Sequence, residues 1–219
     1  MNKLKFRAVL FDLDGTLLNT LEDLANAVNT GLLQLGFPRH EREEYRYFVG
    51  EGREVMARLA LPPANRAPDL VDRLCAIIDA EYTAHWADHT RPYPGIAAML
   101  DEVAACGLAM AILSNKPQEF TVSNVAGLLS RWHFAVVAGS LPGRPNKPDC
   151  TRALEIAAQL QIPADAFLYL GDSGIDMQTA TAAGMYPVGA LWGFRDAAEL
   201  NRSGARKLIS QPTQLLELL

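Results

Sequence analysis

No apolar run in these 219 residues approaches the roughly 20 residues that a membrane-spanning helix requires. The segment Ala8 to Phe11, behind Lys3, Lys5 and Arg7, is too short for a secretory leader and is stopped by Asp12. Cysteine is scarce as well. Cys75, Cys106 and Cys150 are odd in number, widely spaced and form no CxxC pair, which fits free thiols in a reducing compartment. Positive charge is not in excess: 20 Lys and Arg stand against 25 Asp and Glu, giving a formal net charge of -5. Such a balance offers no broad basic surface for nucleic acid or an anionic membrane. The expectation is a soluble cytoplasmic protein without nucleic-acid or membrane partners, its oligomeric state open, in which any anionic substrate is attracted by local charge.

Short apolar runs are present in number: "AVLF" (8–11), "LAMAIL" (108–113), "FAVV" (134–137), "FLYL" (167–170), "YPVGAL" (186–191) and a weaker "KLI" (207–209). Continuous hydrophobicity, without alternation, suits strands buried on both faces of a parallel sheet. Helical stretches such as "QEFTVSNVAGLLSR", "TRALEIAAQL" and "DMQTATAAGM" lie between the later runs. This alternation predicts an α/β fold with a doubly wound, mainly parallel sheet. The first connection is far too long for a simple crossover. Its apolar stripes, Leu21, Leu24, Val28, Leu32 and Leu35, then Leu70, Leu74, Ile77, Ile78 and Tyr82, are helical in period. Residues 17–89 are therefore assigned to a small all-helical cap, and residues 1–16 with 90–219 to the core.

The stretch "RAVLFDLDGTLLNT" ends an apolar strand in two carboxylates, Asp12 and Asp14, one residue apart. Anions so placed repel each other and resist desolvation, which points to a metal or active site. In an open parallel sheet, ligands bind beyond the carboxyl ends of the strands. Those ends carry Asp12, Asp14 and Thr16 after the first run, Ser114 and Asn115 after the second, Lys147 after the third, and "GDSGIDM" with Asp172 and Asp176 after the fourth. Taken singly, Thr16 and Ser114 read as helix caps, Lys147 as a solvated charge, Asp172 as a turn residue and Asp176 as a favourable charge at a helix start. Turn chemistry does not require these residue types at four successive strand ends.

"DLDGT", "LSNK", "NKPD" and "GDSGID" together resemble the signature of the haloacid dehalogenase-like hydrolases, and "PYPGIAAMLDEVAACG" and "AAGMYPVGALWGF" resemble the phosphoglycolate phosphatase branch. The resemblance implies a phosphatase acting on a small phosphorylated metabolite. Asp12 is then the nucleophile and Asp14, on the same side of an extended segment, the general acid and base. Mg²⁺ is the implied cofactor, with Asp12 and Asp172 as ligands, the Asp14 backbone carbonyl joining them and Asp176 in support. Ser114 and Lys147 hold the transferring oxygens, with Thr16 and Asn115 on the substrate side.

Arg53, after the flexible "GEG" turn, is a candidate clamp for a substrate carboxylate; the alternative is a solvated charge. His85 and His89, read as i and i+4 on one helix face, lack a third ligand for zinc. Tyr82 and Trp86 read as packing residues. Competing functions are a sugar-phosphate mutase on the same core and a phospho-accepting signalling receiver. A receiver carries its acidic pair on a different strand from its acceptor and has no cap.

Overall fold

The computed structural model describes residues 6–219; Lys3, Lys5 and the other residues before Phe6 lie outside the described residues. Six strands, β1 (Ala8–Phe11), β4 (Ala109–Pro117), β5 (Val136–Ser140), β6 (Phe167–Gly171), β7 (Tyr186–Ala190) and β8 (Lys207–Ile209), form a sheet of order β5-β4-β1-β6-β7-β8. Every pairing in it is parallel. Helices α5 (Ile96–Ala105), α6 (Gln118–Leu128), α7 (Thr151–Gln159), α8 (Gly174–Ala182) and α9 (Ala197–Arg202) connect these strands. Residues 8–11 and 167–171 are buried throughout, as a strand covered by helices on both faces must be. One apolar layer gathers Val9, Phe11, Leu100 and Ile112, the opposite one Leu10, Ala111, Ile156 and Tyr169. The chain leaves β1 toward β4 and β5 and later returns to β6 on its other side, so the sheet's switch point lies at the end of β1.

Two strands depart from the expected bounds by more than one residue. The "FAVV" strand begins at Val136, because Phe134 turns into the apolar layer beneath the sheet, and it continues to Ser140. β4 runs on to Pro117 through a register shift between Leu113 and Pro117, so Ser114, Asn115 and Lys116 are held by the sheet itself.

The insertion contains α1 (Leu21–Gln34), α2 (Tyr45–Phe48), α3 (Arg53–Ala60) and α4 (Pro68–His85). Leu21, Leu24, Val28 and Leu32 of α1 bury against Leu74, Ile78 and Tyr82 of α4. Gly31 sets how near these helices lie, since a Cβ there would come within 2.6 Å of Leu74 Cδ1. Phe120 and Phe194 of the core join the same cluster, so the cap is seated on the core by apolar contact. At the neck, β2 (Leu18–Asn19) pairs antiparallel with β3 (Arg91–Pro92), while Leu17 and Leu18 pack with the sheet-side core. Buried Asp23 of α1 accepts hydrogen bonds from the backbone N–H groups of His89 and Thr90 and from the Thr90 hydroxyl, tying the outgoing and returning chain together.

His85 and His89 do not share a helix face. α4 stops at His85, whose ring meets Asp88, whereas the His89 ring meets Asp23. Of the aromatic pair read as packing residues, Trp86 does pack on the cap cluster, but Tyr82 also lines the site below.

Candidate active site

Asp12 continues the line of β1, its backbone N–H donating to Leu170 O at 2.9 Å, and the chain then turns tightly. Leu17 and Leu18 N–H both return to Leu13 O at 3.0 Å. Gly15 sits at φ 88° with Asp172 directly against it: a Cβ would stand 2.3 Å from Asp172 Oδ2. Both features require glycine, and they bring the loop after β1 into contact with the loop after β6.

Around that contact the acidic residues converge. Asp12, Asp172 and Asp176 each offer a carboxylate oxygen within 4.8 Å of the others, all buried. Lys147 Nζ bridges Asp12 Oδ1 at 2.6 Å and Asp176 Oδ1 at 2.7 Å. The Thr16 hydroxyl donates to Asp172 Oδ1 at 3.0 Å and to Asp12 Oδ2 at 3.3 Å, and the Phe194 N–H donates to Asp172 Oδ2 at 2.7 Å. Asp176 closes a capping box with Ser173 at the start of α8, so the reading as a helix-start charge and the reading as a site residue both describe it. Burial pushes Asp12 well above the ordinary carboxylate range; Lys147 opposes the rise, and Asp176 and Asp172 add to it. Burial would depress Lys147, but Asp12 and Asp176 hold it charged to unusually high pH. Three desolvated carboxylates therefore crowd together with one ammonium, which pairs with only two of them, Asp12 and Asp176. The surplus of negative charge on hard oxygen donors fits a divalent cation of the Mg²⁺ type, and Asp12, Asp172 and Asp176 are the residues that would hold it.

Burial, then Asp176, raises Asp172 to about 7, with Phe194 N–H and Thr16 easing the rise. A carboxyl whose pKa is higher folded than unfolded stabilises the fold fully below its unfolded value and loses that contribution as pH rises through its folded value. Protein kept in chelator should accordingly lose thermal stability between about pH 5 and pH 8, whereas added Mg²⁺, which favours the ionised form, should raise Tm by several degrees more at pH 8 than at pH 5. Equal Mg²⁺ shifts in thermal denaturation at both pH values would remove these carboxylates as the metal site.

The other wall belongs to β4. Ser114 is buried and its Oγ accepts from the Lys116 N–H at 3.1 Å. Asn115 is committed to structure: its Nδ2 donates to Gly50 O at 2.9 Å and Lys147 O at 3.0 Å, and its Oδ1 accepts from Lys147 N–H. It thereby joins the cap turn to the loop carrying Lys147. Lys116 was not singled out in the sequence, although it stands in "LSNK" two residues after Ser114. Its buried ammonium meets Asp14 Oδ1 at 2.8 Å and lies 4.5 Å from the centre of the Tyr82 ring. Burial acts to lower its pKa, yet Asp14 raises it overall.

From the cap, Arg53 lines the same cavity but is already paired with Asp79 of α4. Two further arginines escaped the sequence reading. Arg46 Nη2 donates to Gly193 O at 2.6 Å, and Arg195 donates to Arg46 O and, at 3.0 Å, to Val49 O, so cap and core hold each other's backbone reciprocally. The cavity between cap and core is open to solvent and places Asp12, Asp14, Ser114 and Lys147 beneath the cap residues Leu24, Met56 and Ile78.

This arrangement defines a class. The sequence pattern of the haloacid dehalogenase-like hydrolases matches residues 9–190, and the chain belongs to that family. Within it the chain stands in the phosphoglycolate phosphatase-like branch and is a phosphatase. It is 31% identical to a phosphoglycolate phosphatase from Chromobacterium violaceum over 100% of this chain and 99% of that one. A phosphoglycolate phosphatase from Pseudomonas putida is 33% identical over 96% of this chain and 78% of its own. A crystal structure from Lactobacillus delbrueckii subsp. bulgaricus, provisionally named for the same activity, superposes with a TM-score of 0.92 at 29% identity, covering 99% of both chains.

Proposed function

We propose that the protein is a Mg²⁺-dependent phosphomonoester hydrolase that works through an aspartyl-phosphate on Asp12, with a compact metabolite of the phosphoglycolate type as reference substrate. The observation that carries this reading is Lys147, one ammonium binding Asp12 and Asp176 at once, with Asp14 two residues along in the same cavity. A nucleophilic carboxylate needs a fixed orientation, and Lys147 and Thr16 supply it from two sides. Ser114 and Lys147 receive the transferring oxygens. Mg²⁺, when bound, neutralises charge between the carboxylates and the phosphate.

Asp14 carries the proton to the leaving oxygen and later takes one from water attacking the phosphoenzyme. Its contact with Lys116 gives way when substrate arrives. Asp172 and Asp176 stand behind the nucleophile as the carboxylates that would hold the cation, and Thr16 orients Asp12 and Asp172. The loop-closing Asn115 keeps the Lys147 loop and the cap turn in register. Residues 17–89 act as the cap that excludes water from the first transfer. Among the described residues no helix is long and apolar enough to cross a membrane, and the three cysteines are unpaired, which supports the cytoplasm as the working compartment.

The test is release of inorganic phosphate from a panel of phosphomonoesters. Chelation should abolish turnover and Mg²⁺ restore it; Ca²⁺ should restore little, because its looser coordination misplaces the nucleophile. Full activity in chelator rejects the metal-dependent reading. A single stoichiometric phosphorylation without turnover points to a receiver, and transfer to a second sugar position points to a mutase.

A further inference from the structure

The chain just after β7 faces two ways. Toward the core, Trp192 Nε1 donates to Thr16 O at 2.9 Å and the Phe194 N–H donates to Asp172 Oδ2 at 2.7 Å. Toward the cap, the same residues accept from Arg46 of α2, whose Nη2 donates to Gly193 O at 2.6 Å and whose Nε donates to Phe194 O at 3.3 Å. The Phe194 side chain joins the apolar cluster of the cap, and Arg195 returns hydrogen bonds to Arg46 O and Val49 O.

Gly193 O and the Phe194 N–H belong to one peptide unit. Such a unit is planar, with its C=O and N–H pointing in opposite directions, so a guanidinium that fixes the carbonyl on the cap side also fixes the N–H on the core side. The contact to the carbonyl is charge-assisted, and by polarising the peptide it makes the N–H a stronger donor. Asp172 depends on that donor. Its Oδ1 accepts from the Thr16 hydroxyl at 3.0 Å and its Oδ2 from the Phe194 N–H, one donor for each oxygen. A carboxylate held from one side only must be ordered when it takes up a cation, and that ordering lowers affinity.

We propose that Arg46 is a positioning residue for Asp172, acting through the peptide between Gly193 and Phe194, so that seating of the cap and binding of a divalent cation strengthen each other. The inference deepens the hydrolase reading and rests on it for Asp172 as a cation ligand. It gives the cap a part in assembling the metal site as well as in covering the substrate. By reciprocity, the factor that the seated cap adds to cation affinity is the factor that the cation adds to seating of the cap.

Calorimetric titration of the full chain with Mg²⁺ alone tests this without turnover. Arg46→Ala should weaken Mg²⁺ binding about tenfold. Arg46→Lys, which keeps a cationic donor for Gly193 O, should recover part of the loss. Arg195→Gln, which loosens the clasp but leaves Arg46 on Gly193 O, should weaken binding less than Arg46→Ala does. A merely structural role would lower the melting temperature in chelator and leave the Mg²⁺ dissociation constant of the folded protein where it was. The reverse direction needs no variant: Mg²⁺ added to the unsubstituted protein should slow amide hydrogen exchange in α2 and at Val49 severalfold more than in α5, which packs on the sheet. This measurement decides the matter if Arg46→Ala does not fold. A dissociation constant within twofold of the original in folded Arg46→Ala overturns the proposal, as does an equal or greater loss in Arg195→Gln, or equal protection of α2 and α5. Absence of Mg²⁺ binding by the unsubstituted protein overturns it together with the metal site. The hydrolase reading itself fails separately, by absence of phosphate release from every ester offered.

Discussion

Asp12→Asn should lower turnover by at least about a thousandfold while leaving the protein folded, because an amide oxygen cannot form the phosphoenzyme and the covalent route is lost outright. The structure makes the folding half of this expectation specific. Asp12 is buried beside two other carboxylates and is pushed toward its neutral form by that burial, so an isosteric neutral group relieves repulsion, and Lys147 keeps its contact with Asp176. The melting temperature in chelator should be equal to that of the unsubstituted protein or higher, and Mg²⁺ should raise it less. Purified variant with turnover within tenfold of the original would remove Asp12 as nucleophile. A collapse of stability would instead mean that Asp12 is chiefly the structural partner of Lys147.

Asp14→Asn should show an effect that depends on the leaving group. An alkoxide must be protonated as it departs, whereas p-nitrophenolate leaves without a proton, so phosphorylation of Asp12 by an alkyl phosphate should fall about a hundredfold or more and that by p-nitrophenyl phosphate far less. Hydrolysis of the phosphoenzyme, which needs a base, should be slow with both. Rapid-mixing measurement of the first step decides it, and equal loss on both substrates would assign Asp14 to positioning alone. The Lys116 contact at 2.8 Å bears on the control. Lys116→Met frees Asp14 without removing it, and should change the two substrates by similar factors.

The site residues that could be picked out from the sequence are those whose position is announced by their own strand end. Asp12, Asp14, Ser114, Lys147, Asp172 and Asp176 each follow an apolar run, and a parallel sheet carries such positions to one rim. Lys116 could have been found by the same rule, since residues two apart on an extended strand share a side. It was missed because β4 does not end where its apolar run ends. Asp79 gave no comparable signal. It is one of several acidic residues on a long amphipathic helix, and only its meeting with Arg53, 26 residues earlier, marks it. The Arg46 and Arg195 clasp spans nearly 150 positions, and its acceptors are backbone carbonyls that no side-chain pattern reveals.

The sequence by itself determined which segments are strands, that a helical insertion interrupts the first crossover, and which chemical groups stand at the strand ends. Those are properties of local hydrophobic runs and of residue type. Tertiary structure decided which charge faces which: that Lys147 serves Asp12 and Asp176 together, that Lys116 attends Asp14, and that Arg53 enters the cavity already neutralised by Asp79. An ion pair forms between groups brought close by the packing of whole elements, and the separation of 102 positions from Asp14 to Lys116 carries no record of that distance. The placing of β1 between β4 and β6, and of the cap over the end of β1, sets it.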